Sequence, residues 1–300
     1  MKTKLHPFHI VLNFLLDQSN ENRNALTKWV AVTTPQERIH FLKKNVILIR
    51  FYERAQLKDP LLADAVAEEK RRIELTLKYI NQIKSILKER EISFVFTKAF
   101  IHVPDMGHDI DLLIGDTSFR ADRLLKERLS MRPDFNSIVN YLAGKRGYVV
   151  DGCPSELEIH HGRLGHAGEF YDYAQHVIKR ANEGAPSDED QLILRTLQRV
   201  YGHRSLRISD ALNVQELLKK ETLDWSYIRN KADELGVSKG FEMVTTQRQF
   251  VGNGATLALP SRWVFLAYLG VFWRQFPAVR LILLPVAYAA GRLLRIFSRR

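Results

Sequence analysis

The sequence predicts an α+β protein, a small mixed β-sheet with helical regions before and after it in the chain. Three observations carry that expectation. Apolar residues recur at helical spacing through residues 1–90. At Glu91 the texture changes to short aromatic, β-branched and alternating runs, as half-buried strands require. From Ala174 to about Phe250 the helical texture returns.

The elements follow in order. Ile10, Leu12, Phe14 and Leu15, then Phe41, Val46, Ile47, Ile49 and Phe51, mark apolar helix faces. Asp59-Pro60 is a helix start, with Asp as cap and Pro in the first turn. No Gly or Pro follows before Glu89, and residues 68–89 are dense in Glu, Lys, Arg and Leu. That predicts one long helix with a solvated face. Residues 93–96 read as a strand, and 104–107 as a loop. Asp109 to Ile114 is an alternating strand that ends at Gly115. Helices are expected from Phe119 to Leu129 and from Asn136 to Leu142. Residues 147–150 and 157–161 read as two more strands.

Beyond them, residues 186–190 open a helix with acids where the helix dipole favours them. Leu192 to Val200 is a core helix, and Leu206 to Lys220 another. A third starts at Asp224-Trp225 and ends at Gly236, with Asp210 and Trp225 capping and packing helices. Phe250 to Leu259, with Gly252 and Gly254, reads as a linker. The chain thus divides into a helical region 1–90, a core 91–170, a helical region 171–250 and an apolar basic segment 260–300.

Composition bounds the function. The 300 residues are 45% hydrophobic and 26% charged, the balance of a folded chain able to bury a core. A disordered tail or a collagen-like chain is excluded. The single cysteine, Cys153, excludes an internal disulfide and a four-cysteine zinc site. It sits in a turn with no evident base to make it a nucleophile. No signal peptide is evident, because His9 and Asn13 break the first apolar run and Asp17 follows it. The expected location is the cytoplasm.

The net charge is +11, and seven arginines between Pro260 and Arg300 supply +7 of it without any lysine or acid. The body is therefore only weakly basic, and no specific DNA binding is expected. Residues 263–273 and 281–291 are uncharged runs of eleven. Each is shorter than the roughly 20 residues that span a bilayer. Trp and Tyr beside Arg is an interfacial composition. Three readings stand for residues 260–300: attachment to the inner face of the membrane, packing on protein, or spanning by the two runs together.

The chemistry concentrates in His108-Asp109-Ile110-Asp111-Leu112-Leu113-Ile114. In a strand, residues two apart share a face, so Asp109 and Asp111 project together, about 7 Å apart along the backbone. Ile110 and Leu112 face the opposite way, into a core. Paired carboxylates repel unless a divalent cation sits between them. Magnesium prefers such oxygen ligands and also takes substrate phosphates. Two such ions clamp the attacking and leaving oxygens of a displacement. Glu158, alternating with Leu157 and Ile159, is the candidate third carboxylate, and Glu156 and His160 share its face. His108 and His160 are expected at the rim of this site. With His161 and His166 they match no strong zinc spacing.

The order of these segments resembles the nucleotidyltransferase superfamily that includes DNA polymerase beta. Thr97-Lys98-Ala99 closes a strand, Asp-Ile-Asp-Leu-Leu-Ile follows a gap, and Gly147-Tyr148 and Leu-Glu-Ile-His come later. The likeness is nearest to a poorly characterised prokaryotic group of nucleotidyltransferase-like proteins, in which helices flank a minimal core and a Leu-Asp-Trp step like 223–225 recurs. It covers roughly residues 40–240.

The resemblance implies a magnesium-dependent transfer of a nucleoside monophosphate from a nucleoside triphosphate, such as ATP, to an acceptor hydroxyl or phosphate. Asp109 and Asp111 match the paired metal-binding aspartates, which hold two Mg2+ ions. Glu158 matches the third carboxylate, which binds metal or activates the attacking hydroxyl. Lys98 matches a lysine before the substrate loop, where it meets the triphosphate; beside the resemblance, Thr97 and His108 are the other candidate nucleotide-binding residues. One departure is clear. Ala99 stands where the family has glycine, and alanine lacks glycine's backbone freedom. That departure motivates a rival, a non-catalytic nucleotide sensor on the same fold. A membrane-associated scaffold is the other rival, motivated by residues 260–300.

Overall fold

The computed structural model describes residues 6–98, 103–115, 118–134, 140–141, 143–165 and 170–275. Five helices come first: α1 (Pro7–Leu16), α2 (Asn20–Ala31), α3 (Pro35–Lys44), α4 (Leu48–Ala55) and α5 (Pro60–Glu89). Their starts are written in the sequence. Ser19 caps α2, and Thr34 with Glu37 forms a capping box on α3, with bonds of 3.2 and 2.8 Å. Asp59 caps α5 as expected, accepting from the Leu62 N–H at 3.3 Å.

Helix α4 has no cap of its own. Its first free N–H groups are satisfied from a distant loop. The buried Asp105 carboxylate accepts from Ile49 N at 2.8 Å and Arg50 N at 3.1 Å. Burial pushes the Asp105 carboxyl up to about 6 against the pull of those two N–H groups and of Arg50.

The sheet then forms from β1 (Phe94–Phe96), β2 (Asp109–Ile114), β3 (Met131–Pro133), β4 (Lys145–Val150) and β5 (Glu156–His161), with α6 (Arg120–Leu129) between β2 and β3. The spatial order is β1-β2-β5-β4-β3. β2 and β5 run parallel at the centre, and the other pairs are antiparallel. The expected helix over 136–142 falls largely outside the described residues.

The chain continues through α7 (Tyr171–Arg180), α8 (Asp188–Thr196), a π-helical turn (Leu197–Gly202), β6 (Ser205–Leu206), α9 (Ile208–Leu218), α10 (Trp225–Leu235), α11 (Ser238–Thr246), β7 (Val251–Asn253), β8 (Thr256–Ala258) and α12 (Ser261–Gln275). Gly236 ends α10 in the left-handed region, φ 72°, where glycine carries no steric penalty. Trp225 starts that helix but is 39% exposed, so it packs less than the sequence suggested.

The expected linker over 250–259 is instead a hairpin. β7 pairs with β8, and β8 with β6, in a small antiparallel sheet. Gly254, φ 60°, takes the first position of the two-residue loop, which demands positive φ. The Asn253-Gly254 step was a visible hairpin signal. Likewise the helix expected from Leu206 begins only at Ile208, because Ser205–Leu206 is held as a strand by Ala258 and Leu257.

Two hydrophobic clusters organise the chain. One joins the N-terminal helices to the C-terminal ones, from Phe8, Trp29 and Phe51 to Tyr173, Leu197 and Met243. Buried Asn45 stitches these halves: its amide donates to Ala255 O at 2.8 Å, and its side-chain oxygen accepts from Ile208 N at 3.1 Å. The other cluster lies between the sheet and α5 with α6, where Ile80, Ile83 and Leu125 meet Ile110, Leu112 and Ile159. The sheet is thus covered on both sides, with α7 packed against β1 and β2 and with α8 and the π-turn across a cavity from the acids.

The described part of the C-terminal segment docks on protein. Val264, Ala267 and Val271 of α12 are buried, while Phe265 and Leu266 are exposed. Among the described residues no helix is long and apolar enough to cross a membrane. The run over 281–291 and the last arginines lie outside the described residues.

Candidate active site

The register of the two central strands builds the site. Asp109 pairs with Glu156 and Asp111 with Glu158. Neighbouring strands lie about 4.8 Å apart, whereas residues two apart on one strand are separated by about 7 Å. The closest meeting of acids is therefore across the strands, not along one. Ligand atoms of Asp111, Glu158 and His160 all fall within 4.8 Å of one another. Asp109 lines the same cavity but stands outside that tight group.

The cavity has a volume of about 480 Å³. Thr97, Lys98, Asp109, Asp111 and Glu158 are on its wall, so five of the six residues singled out in the sequence converge. Thr97 N donates to Asp111 O at 3.0 Å, which fixes the end of β1 against the site. Lys98 pairs with Asp111 Oδ1. Lys145, opposite His160 on β4, lies 3.5 Å from Glu158 Oε1.

Two expectations are corrected. His160 is not at the rim. It is buried in the middle of the acids, with Nε2 2.7 Å from Glu158 Oε1 and 3.5 Å from Asp111 Oδ1. Its strand position, two past Glu158, was the signal. His108 does not line the cavity; its charged neighbours are Arg72, Glu69, Asp109 and Lys43. His161 belongs to the opposite face, 3.0 Å from Asp122 Oδ1, and His166 lies outside the described residues.

Charge is distributed unevenly. Burial, with Asp111 and Glu158 nearby, raises the Asp109 carboxyl above its usual range. Burial alone would raise Asp111 too, but the Lys98 ammonium and His160 outweigh it and hold its carboxyl low. Burial is likewise outweighed at Glu158, by the hydrogen bond and charge of His160 and by Lys145 and Lys98. Asp111 and Glu158 are therefore anions in the resting site, while Asp109 takes a proton more readily.

The opposite wall comes from the second helical region, and nothing in the sequence reading pointed to it as part of a site. Thr196 Oγ1 returns to Leu192 O at 3.1 Å, and the helix then widens into the π-turn, closed by His203 N to Gln198 O at 2.8 Å. Arg195, Gln198 and His203 face the acids across the cavity. Arg195 and Arg199 share one buried carboxylate, Asp210, at 2.7 Å each. Asp210 also caps α9 by accepting from Arg207 N at 3.2 Å. Burial and the cations Arg199, Lys98 and Arg207 push His203 down to about 3, so its imidazole is neutral at pH 7.

The residues fit a divalent cation. Asp111 Oδ2 is buried and accepts no hydrogen bond among the described residues. Carboxylate oxygens supply the hard donors that magnesium prefers. His160 Nε2, a softer donor, lies 2.7 Å from Glu158 Oε1 within the same group of ligand atoms, so it can join the carboxylates at a cation or orient Glu158 behind one.

No protein-family model, curated protein or solved structure matches this chain. The fold and the site stand on their own geometry.

Proposed function

We propose that this chain is a magnesium-dependent nucleotidyltransferase, acting on a nucleoside triphosphate and an acceptor hydroxyl or phosphate. The supporting observation is the convergence of Asp109, Asp111 and Glu158 from two parallel strands into one cavity, under a wall that carries arginine. Asp109, Asp111 and Glu158 would hold the magnesium. The bound ion would neutralise charge on the phosphates and polarise the reacting phosphorus centre.

The protein's own residues do the rest. His160 keeps Glu158 ionised and aimed, so Glu158 serves as a ligand rather than as the proton acceptor. Lys98 leaves Asp111 for the triphosphate when substrate enters. The acceptor oxygen bonds to the α-phosphorus as the bond to the departing pyrophosphate breaks, and its proton passes to Asp109, the cavity carboxylate that takes one most readily. The test is calorimetric titration of the four common nucleoside triphosphates, with and without magnesium. Wild type should bind in the presence of magnesium, and the Asp109→Asn, Asp111→Asn double variant should not. Absence of binding by the wild type sinks the reading.

A second reading is supported by the Lys98–Asp111 ion pair and the Ala99 step. If Lys98 stays on Asp111, the site binds nucleotide without turning it over. Magnesium-dependent binding with no pyrophosphate release against a broad panel of acceptors would favour this sensor. Exposed Phe265 and Leu266 support membrane association of α12, and vesicle flotation with and without residues 260–300 tests it.

A further inference from the structure

We propose that the helical wall of the cavity, centred on Arg195, is a binding subsite for a phosphate oxyanion. The proposal rests on the nucleotidyl-transfer reading only for the source of that phosphate; the subsite itself stands on its own observations. The Arg195 side chain is 1% exposed and lines the cavity. Both of its hydrogen bonds use Nη1, to Asp210 Oδ1 at 2.7 Å and to Gln198 Oε1 at 2.9 Å. Its Nε and Nη2 are buried and have no partner among the described residues.

Charge makes the same case. Two buried guanidinium groups, Arg195 and Arg199, share one carboxylate, Asp210, so the wall itself holds more cations than acids, and the further acid whose charge acts on Arg195 is Asp111 across the cavity. A buried guanidinium that shares its carboxylate with a second arginine and leaves two donors unused is costly unless something in the cavity completes it. Across the cavity, Asp111 and Glu158 are already engaged by Lys98, Lys145 and His160. The missing partner is an anion that enters with a ligand. A guanidinium fork with two free N–H directions matches a tetrahedral phosphate better than a point charge does. The π-turn, a feature that recurs at functional sites, brings Gln198 and neutral His203 to the same wall as further hydrogen-bonding groups.

The phosphate belongs either to the polyphosphate of the nucleotide or to a phosphorylated acceptor. Calorimetric titration of tripolyphosphate and of inorganic phosphate in EDTA distinguishes them, using the wild type and Arg195→Lys. Lysine keeps a charge for Asp210 but removes the fork. Wild type should bind tripolyphosphate at least ten-fold more tightly than Arg195→Lys does. A preference for tripolyphosphate assigns the subsite to the nucleotide, and equal affinity for both assigns it to the acceptor. No binding of either anion by the wild type, or equal binding by a folded Arg195→Lys, overturns the proposal. Should that variant fail to fold, tungstate soaked into wild-type crystals decides. An anomalous peak within hydrogen-bond reach of the Arg195 guanidinium is expected, and a peak elsewhere, or none, overturns it. Failure of the two readings is separable. Anion binding without any magnesium-dependent nucleotide binding sinks the nucleotidyltransferase and leaves the subsite. Magnesium-dependent nucleotide binding that ignores Arg195 does the reverse.

Discussion

Around the cavity the two faces of β2 and β5 have opposite properties, although Leu113, on the face of Asp111, still packs in the core. Ile110, Leu112, Leu157 and Ile159 turn one way and are fully buried beneath α5 and α6. Asp109, Asp111, Glu158 and His160 turn the other way and line a cavity. One face holds the fold together by removing apolar area from water, at roughly 1.5–3 kcal/mol for each large side chain. The other gathers charge that a folded chain would do better without, since each buried carboxylate needs a cation or an N–H to offset its desolvation. The contrast teaches where function sits: in the side of the β-period that stability does not ask for.

Substitutions can break that contrast, starting with the largest effect. Ile110→Ala should cost about 2–5 kcal/mol of stability by lost burial and a cavity, read as a fall in the urea midpoint. One residue along, Asp111→Asn should weaken magnesium-dependent nucleotide binding at least a hundred-fold, about 2.7 kcal/mol, while moving the urea midpoint less than Ile110→Ala does. A larger loss of stability from Asp111→Asn would mean that both faces are structural.

Asp105 sharpens the comparison, because its loop leads into β2 while its carboxylate caps α4, more than fifty residues earlier in the chain. Its carboxyl is raised to about 6 by burial, so the folded state holds a proton that the unfolded chain releases near pH 4. Stability from this group is full below about pH 4, declines as pH rises to about 6 and is flat above. Relative to Asp105→Asn, the wild type should lose on the order of 3 kcal/mol between pH 4 and pH 7, two units at about 1.4 kcal/mol each. Parallel urea curves for the two proteins at both pH values, showing a constant difference, would remove Asp105 from the linkage.

The smallest effect is a control on neither face. Thr34→Ala breaks the α3 capping box and should cost about 1 kcal/mol with nucleotide and phosphate affinities unchanged. A change in either affinity would show that the N-terminal helices reach the site.

Much of this was legible from residue patterns. The alternation in Asp109 to Ile114 correctly assigned which side chains face the core, because strand period is a local property. Capping at Asp59 and termination at Gly236 were equally local. The hairpin at Val251–Asn253 and Thr256–Ala258 was missed because Gly252 and Gly254 read as a linker, and its pairing partner β6 lies some fifty residues earlier. Asp105 as the cap of α4 was invisible for the same reason, since it acts across more than fifty residues.

The site divides along the same line. The sequence by itself determined that Asp109 and Asp111 share a face, that Glu158 and His160 share another, and that each alternates with core residues. Only the tertiary structure decided that β2 and β5 lie side by side in the register that sets Asp111 against Glu158. It also decided that His160 sits among the acids and His161 beneath the sheet, and that Arg195 closes the cavity from a helix with no local mark of such a role. The physical reason is range. Period and capping depend on residues within a turn or two, whereas strand adjacency and the shared Asp210 depend on which distant surfaces bury best against each other.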